Sequence, residues 1–233
     1  MTHLHKQVFV AATGTDIGKT YVTQALLRHF RSDGIDARAL KPVISGFEET
    51  NIGASDTGRL LTAMDKPPSL EEAEQISPWR FQAALSPDMA AAREGRHIEM
   101  QEVAAFCRQD AAQSGADITF VEGVGGIMVP LNATTTTLDW QASLDTPCLL
   151  VIGSYLGTMS HCLTALDTLA AKGITPLAVI LNESAESPVP LAETAASLTP
   201  FVHGVPIVPL ARNSAFSAQD GLYDLLTDTA VKS

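Results

Sequence analysis

The 233-residue sequence predicts an α/β fold, with a doubly wound, mostly parallel sheet flanked by helices. Short apolar runs alternate along the chain with longer segments of helical periodicity, which is the pattern of βαβ units. The composition is that of an ordinary globular protein, with 45% hydrophobic and 18% charged residues. The chain has no repeat of solenoid period and no dividing linker, so residues 1–233 are expected to form a single domain.

The first predicted unit is a strand, a loop and a helix. Residues 8–12 are wholly apolar, which is typical of a buried strand. A helix is predicted over residues 19–30 because apolar side chains recur there at helical spacing, and Gly34 is a stop signal. Residues 37–40 are predicted to form the second strand.

The next part of the chain is predicted to be mainly helical. Ser55 is a candidate N-cap for a helix that runs through Leu61. Further helices are predicted from periodicity and flanking signals at residues 69–76, between Ser86-Pro87 and Glu94-Gly95, and at residues 100–113. The apolar run at residues 118–121 predicts another buried strand.

The remaining elements follow the same alternation. Apolar runs predict strands at residues 148–152, 176–181 and 205–208. Helical patterns are found at residues 158–171 and 218–226. The four threonines at residues 134–137 are expected to lie in a solvated loop.

Charge and cysteine content exclude several classes of protein. Fifteen Lys and Arg against 26 Asp and Glu leave a net charge of −11, which disfavours a general nucleic-acid or membrane-surface binder. No apolar run approaches the roughly 18 residues that span a bilayer. Met1–Gln7 has no apolar core of a secretory signal, so a cytoplasmic location is expected. Cys107, Cys148 and Cys162 are too widely spaced for a CxxC metal site and are expected to be reduced and buried.

The strongest local motif lies between the first strand and the first helix. It has the context of a phosphate-binding loop, whose backbone N–H groups and helix N-terminus face an anion. The residues of this candidate nucleotide site are Gly14, Thr15, Asp16, Ile17, Gly18, Lys19 and Thr20. Lys19 can reach the β- and γ-phosphates, and the Thr20 hydroxyl can bind Mg²⁺. Thr13 stands at the first glycine position of GxxxxGK[ST], so the alternative is an ordinary turn with a surface lysine.

Three charged residues could complete such a site. Lys41 follows the second strand and is either a second cation for phosphoryl transfer or a solvated lysine. Glu122 ends a buried strand and is either a metal ligand or a turn residue facing solvent. Asp56 is either a Mg²⁺ ligand or a partner of the helix N-terminus. Gly125, in the glycine-rich segment after Glu122, allows close approach of a ligand.

Two further segments follow predicted strands. The backbone N–H groups of residues 155–161 can bind a carboxylate, or Thr158 can simply cap the following helix. Asn182 can read an adenine edge through its amide, or it can be an ordinary turn residue.

Taken in order, these segments resemble the dethiobiotin synthetase family, the ATP-dependent carboxylases of biotin synthesis. The resemblance runs from about Val8 to Arg212. It rests on residues 12–20, 41–46, 55–56, 86–87, 94–95, 121–126, 138–140 and 156–157. The chain departs from the common family residues at Ala12, Gly14, Asp88, Tyr155 and Ser160.

The resemblance implies a P-loop NTPase-like fold, a homodimer and a cyclo-ligase that joins CO₂ to 7,8-diaminononanoate with Mg-ATP. One amine would form a carbamate, which attacks the γ-phosphate to give a carbamic-phosphoric anhydride. The second amine would then close the cyclic urea and expel phosphate. The implied partners are these small molecules, with neither nucleic acid nor membrane among them.

The resemblance also assigns roles to individual residues. Lys19 and Lys41 would stabilise the phosphoryl group and the carbamate, while Thr15 and Ser45 would contact substrate or phosphate. The implied ligands of Mg²⁺ are Thr20, Asp56 and Glu122. The implied contacts of adenine are Asn182 with Pro209, Leu210 and Ala211 nearby. The implied contacts of the substrate, across a dimer interface for its tail carboxylate, are Ser45, Gly125, Leu156, Gly157 and Thr158.

Two other classes share parts of this pattern. A P-loop regulatory ATPase of the MinD/ParA kind has the same fold, but such proteins use a membrane-targeting helix or a basic DNA-facing surface. A cobyrinate-type amidotransferase would carry an added glutaminase domain, for which 233 residues leave no room. The collinear segments at residues 41–46 and 121–126 favour the carboxylase.

Overall fold

The computed structural model describes residues 3–4 and 6–228 of the chain. Residues 1, 2 and 5 of the Met1–Gln7 prediction, and residues 229–233 of the expected domain, lie outside the described residues. The strands are β1 (His3–Leu4), β2 (Gln7–Ala12), β3 (Ala37–Leu40), β4 (Val43–Ser45), β5 (Trp79–Phe81), β6 (Ile118–Glu122), β7 (Cys148–Gly153), β8 (Ala178–Asn182), β9 (Ile207–Leu210) and β10 (Thr227–Asp228).

The α-helices lie between these strands. They are α1 (Lys19–Ser32), α2 (Asp56–Ala63), α3 (Leu70–Ile76), α4 (Pro87–Arg93), α5 (Met100–Gln113), α6 (Thr137–Leu144), α7 (Thr158–Ala170), α8 (Leu191–Leu198) and α9 (Leu222–Leu225). Short 3₁₀ helices cover Glu49–Ala54, Thr199–Phe201 and Ala218–Asp220.

The central sheet confirms the predicted doubly wound, parallel architecture. Its strand order is β3-β6-β2-β7-β8-β9, and every neighbouring pair is parallel. The first strand, β2, therefore lies inside the sheet, and the chain adds strands on both sides of it. Ligands of such sheets bind beyond the carboxyl ends of the strands, near the point where the strand order reverses. This position is occupied by the ends of β2, β3 and β6.

Helices cover both faces of the sheet, which explains why its inner strands are apolar at successive positions. Phe9 on β2 packs against Trp140 of α6, with ring centroids 4.9 Å apart. Phe120 on β6 packs against Phe30 of α1 at 5.8 Å. Because Phe9 pairs with Val121 in register, Phe120 points to the opposite face. The two aromatic contacts therefore fasten α6 and α1 to opposite sides.

Most predicted strands and helices are confirmed, with ends shifted by a few residues. The small parallel sheet of β4 and β5, the antiparallel pair of β1 and β10, and the helices α6 and α8 were not predicted. The predicted continuous helix over residues 218–226 is wrong. Gly221 adopts a left-handed φ of 65° and separates a 3₁₀ turn from the short α9.

The expectation that residues 134–137 form a solvated loop is wrong at its end. Thr136 is the N-cap of α6, and its hydroxyl and backbone N–H form a capping box with Asp139. Thr137 begins the helix and is 2% exposed. The signal was the Thr-x-x-Asp spacing, which is that of a capping box with aspartate in place of glutamate.

The described residues can be compared with the expectations for the cysteines and for membrane-spanning segments. Cys107, Cys148 and Cys162 are free and buried, and burial raises the pKa of each thiol. In the described part of the chain, no helix has both the length and the apolar character that a bilayer crossing requires.

Candidate functional site

The loop between β2 and α1 has a backbone shape that depends on glycine. Gly18 is the N-cap of α1 and has a φ of 95°. A Cβ atom at this position would collide with Nδ2 of Asn182. That same amide donates a hydrogen bond of 3.0 Å to the carbonyl O of Ile17. Asn182, at the end of β8, therefore holds the loop in place, and only glycine leaves room for it.

Lys19 connects the two loops that border the site. Its Nζ donates to the carbonyl O of Gly14 at 3.0 Å and to that of Gly125 at 2.7 Å. Burial, reinforced by the nearby positive charge of Lys41, lowers the pKa of Lys19 to about 8. Burial disfavours an ammonium that lacks a direct carboxylate partner, and an anion beside Lys19 would raise its pKa again.

Glu122 is the centre of the polar contacts. It ends β6 and has no solvent exposure. Its Oε1 accepts hydrogen bonds from Nζ of Lys41 at 2.7 Å and from Oγ1 of Thr20 at 2.8 Å. Its Oε2 is buried and accepts none from the described residues. The alternative of a solvent-facing turn residue is therefore wrong, and one carboxylate oxygen remains available.

Lys41 is a buried cation, so the alternative of a solvated lysine is also wrong. Its side chain is 3% exposed, and its Nζ donates to the carbonyl O of Gly123 at 2.8 Å, in addition to Glu122. Oδ2 of Asp56 lies 3.7 Å away. Burial alone would lower the pKa of Lys41, but the charges of Glu122 and Asp56 outweigh it and raise the pKa. The lysine is therefore held in its charged form.

Asp56 is in the first turn of α2, but it is not the cap. Ser55 is the N-cap, and its hydroxyl accepts from the backbone N–H of Gly58 at 3.0 Å. The Asp56 carboxylate instead faces Lys41. No group of three or more His, Cys, Asp or Glu side chains suited to a metal occurs among the described residues. The oxygen atoms that could hold a metal here belong to the Asp56 and Glu122 carboxylates and the Thr20 hydroxyl.

A cavity of about 730 Å³ is lined by these groups except Glu122, which is buried behind Lys41 and Thr20. Sequence-predicted residues along its wall are Thr15, Asp16, Gly18, Lys19, Thr20, Lys41, Ser45, Asp56 and Gly125. Oγ of Ser45 is buried and has no hydrogen-bond partner in the described part of the chain. The apolar residues of the cavity wall are Ile44, Ala84, Leu85, Pro87, Val124 and Val129. Arg59 also lines the cavity and was not predicted, although its i,i+3 spacing from Asp56 was a usable signal.

A second cavity of about 330 Å³ adjoins the loop on the side of β8. Asp16, Ile17, Gly18 and Asn182 line it together with Arg212. The predicted segment Pro209, Leu210 and Ala211 does not line it. It lies alongside, because the backbone N–H of Glu183, a residue of the cavity wall, donates to the carbonyl O of Leu210 at 2.9 Å.

The predicted anion segment at the start of α7 lies apart from both cavities. Leu156 is 91% exposed, and Gly157 is the N-cap with a φ of 101°. Thr158 is buried and its Oγ1 donates to the carbonyl O of Gly153 at 2.6 Å. The alternative that Thr158 caps the helix is therefore wrong. Within one chain, the fold does not bring Leu156, Gly157 and Thr158 to the other predicted substrate contacts.

A strand, a loop that requires glycine at its last position, and a helix that begins with Lys-Thr define a P-loop nucleotide-binding protein. A family model described as an AAA domain matches residues 6–211. The ATP-dependent dethiobiotin synthetase BioD of Methylobacterium nodulans is 45% identical over 216 residues, which are 91% of this chain and 96% of that protein. The BioD of Acidiphilium cryptum is 45% identical over 85% of this chain and 89% of its own length. The chain belongs to the ATP-dependent dethiobiotin synthetase family.

Solved structures of distant proteins share the fold. The cell division protein MinD of Aquifex aeolicus superposes with a TM-score of 0.50 at 10% identity, covering 94% of this chain and 85% of that one. The signal recognition particle receptor FtsY of Elizabethkingia anophelis superposes with a TM-score of 0.52 at 15% identity, covering 94% and 65%. At these identities the likeness concerns the fold alone.

The Lys41–Glu122 contact predicts a large stability effect. Lys41→Met leaves the Glu122 carboxylate buried without its counter-charge, and we expect the free energy of unfolding to fall by about 3–5 kcal/mol. The double variant Lys41→Met/Glu122→Gln should recover much of that loss. Urea denaturation at neutral pH measures both.

The matched control is Lys66→Met, which breaks the exposed ion pair with Glu72. We expect a change of less than about 1 kcal/mol, because solvent screens such pairs. Equal losses in the Lys41 and Lys66 variants would contradict the electrostatic role assigned to Lys41.

Proposed function

We propose that this protein joins CO₂ to 7,8-diaminononanoate at the expense of ATP, forming dethiobiotin, ADP and phosphate. The observation that carries the proposal is the pair of buried lysines, Lys19 and Lys41, on the wall of a cavity next to a P-loop. Family membership supplies the substrate. The likeness to MinD supports a regulatory ATPase only through the fold, so that alternative has no specific support.

In this reaction the protein mainly positions the substrates and stabilises their charges. One amine of the substrate and CO₂ give a carbamate, whose oxygen attacks the γ-phosphorus as ADP leaves. The second amine then attacks the carbamic-phosphoric anhydride and expels phosphate. The carbamate is itself the nucleophile, so stabilising its charge and that of the phosphoryl group is the principal task. Lys19 and Lys41 supply positive charge, while Thr15 and Ser45 supply hydroxyl groups on the same cavity wall.

The residues around Glu122 fit Mg²⁺. Mg²⁺ prefers oxygen ligands and is commonly held by one or two carboxylates together with substrate phosphates. The unpartnered Oε2 of Glu122, the Asp56 carboxylate and the Thr20 hydroxyl supply such a set. When bound, Mg²⁺ would neutralise charge on the β- and γ-phosphate oxygens.

The second cavity suits the base of the nucleotide. It adjoins the P-loop through Asp16, Ile17 and Gly18, so a base there would be continuous with phosphates on the loop. Asn182 uses Nδ2 to hold the loop, which leaves its Oδ1 to accept from the adenine amino group. The segment of Pro209, Leu210 and Ala211 would lie beside the base.

We further propose a cytoplasmic homodimer of single-domain chains. Leu156, Gly157 and Thr158 of one subunit would complete the substrate site of the other. The exposure of Leu156 supports this arrangement, because a large apolar side chain that is 91% exposed is suited to an interface. This segment lines neither described cavity, so it would need a second copy if it binds substrate.

The proposed reaction predicts joint formation of two products. Purified protein with the diamine, Mg-ATP and labelled bicarbonate should release phosphate and acid-stable label in equal amounts, each requiring the diamine. Scintillation counting and a phosphate assay measure the two. ATP hydrolysis that is indifferent to the diamine and fixes no label would overturn the carboxylase proposal.

The pKa of Lys19 predicts proton uptake when nucleotide binds. At pH 8 about half of the Lys19 side chains are neutral, and phosphate contact raises the pKa of Lys19 again. Binding of ADP should therefore take up about half a proton at pH 8, and progressively less as the pH falls. Calorimetry in buffers of different ionisation enthalpy measures the uptake.

The control for this uptake is Lys19→Arg, whose guanidinium is charged in both states. This variant should bind ADP without taking up a proton at the position. Equal uptake by the wild type and the arginine variant would remove Lys19 as its source.

The dimer proposal predicts a single species of twice the chain mass in sedimentation velocity. Leu156→Asp should shift this species toward the monomer and reduce turnover. The matched variant Phe201→Asp changes another exposed apolar residue and should leave the dimer intact. A monomeric wild type at assay concentration would refute the shared site.

A further inference from the structure

Arg59 is a cation on the cavity wall with no ionic partner among the described residues. It lies in the first turn of α2, three residues after Asp56, and both side chains line the main cavity. Its carbonyl O accepts a hydrogen bond of 2.9 Å from Nε2 of Gln24, which joins this turn to α1. Thr20 and Tyr21, in the first turn of α1, line the same cavity. Arg59 therefore lines the same cavity as the helix N-terminus at which phosphates bind.

The other two cations of the cavity are already engaged. Lys19 donates to two carbonyl oxygens, and Lys41 donates to Glu122 and to the carbonyl O of Gly123. Among the residues that line the cavity, the carboxylates of Asp16 and Asp56 balance these two lysines, and Arg59 adds one positive charge. For a polyphosphate that enters the cavity, Arg59 is thus a cation without an ion-pair partner among the described residues.

We propose that Arg59 is a nucleotide-binding residue, which contacts the phosphate chain from the side of α2. The inference rests on the proposed use of a nucleotide. The planar guanidinium can donate two parallel hydrogen bonds to phosphate oxygens, which gives it both charge and geometric fit. The ligand class is a nucleoside di- or triphosphate, and the P-loop itself does not provide this contact.

The test is the affinity for a fluorescent ADP derivative in Mg²⁺ buffer. For Arg59→Met we expect Kd to rise about tenfold, as for loss of one charge-assisted hydrogen bond, with a weaker salt dependence of Kd. Arg59→Lys keeps the positive charge but cannot donate two parallel hydrogen bonds, so it should give an intermediate Kd. The control is Arg28→Met, which removes the same charge from an exposed position of α1 that does not line the cavity. We expect its Kd to stay within about twofold of the wild type.

Two results would overturn the inference. One is equal Kd values in the Arg59→Met and Arg28→Met variants. The other is an unchanged Kd for the ADP derivative with a raised KM for the diamine, which would assign Arg59 to the substrate carboxylate instead. The binding assay needs no turnover, so it tests Arg59 independently of the carboxylation proposal. If only the carboxylation proposal fails, the wild type would bind the nucleotide but fix no label.

Discussion

The burial of the Glu122 carboxylate is the constraint on which the site depends. A charge without solvent exposure costs several kcal/mol unless the protein supplies partners. Lys41 at the end of β3 and Thr20 in the first turn of α1 supply them. The carboxylate therefore joins the carboxyl ends of β3 and β6 to the helix that follows β2. The contacts that make the buried charge tolerable also assemble the proposed site for phosphoryl transfer.

The shape of the P-loop is stabilised by residues that are distant from it in the sequence. Asn182 reaches the loop from β8, two strands away from β2, and Gly18 leaves space for its amide. Lys19 meanwhile connects the loop to the carbonyl O of Gly125. The loop is thus tied on both sides by side-chain hydrogen bonds. This arrangement fits pre-organised catalysis, in which the binding groups need little rearrangement when the charged ligand arrives.

The charge of the main cavity differs in sign from the net charge of the whole chain. The chain carries a net charge of −11, yet three cations line the main cavity. Two of them are engaged by protein atoms and buried, whereas Arg59 is exposed. The apolar residues of the cavity wall suit the aliphatic part of the proposed diamine. The cavity therefore combines a polar side for phosphates with an apolar side for a hydrocarbon chain, as expected for a small-molecule site.

The sequence by itself determined the alternation of the central strands with helices, the P-loop and most of the candidate charged residues, because these depend on local periodicity and on short spacings. It could not decide between a buried and a solvated Lys41 or Glu122, which are 81 residues apart. Only the tertiary structure brings Thr20, Lys41 and Glu122 together, turns Arg59 toward the cavity and keeps Leu156 away from it. The reason is physical: burial and counter-charge are set by which distant strands become neighbours, and no local pattern carries that information.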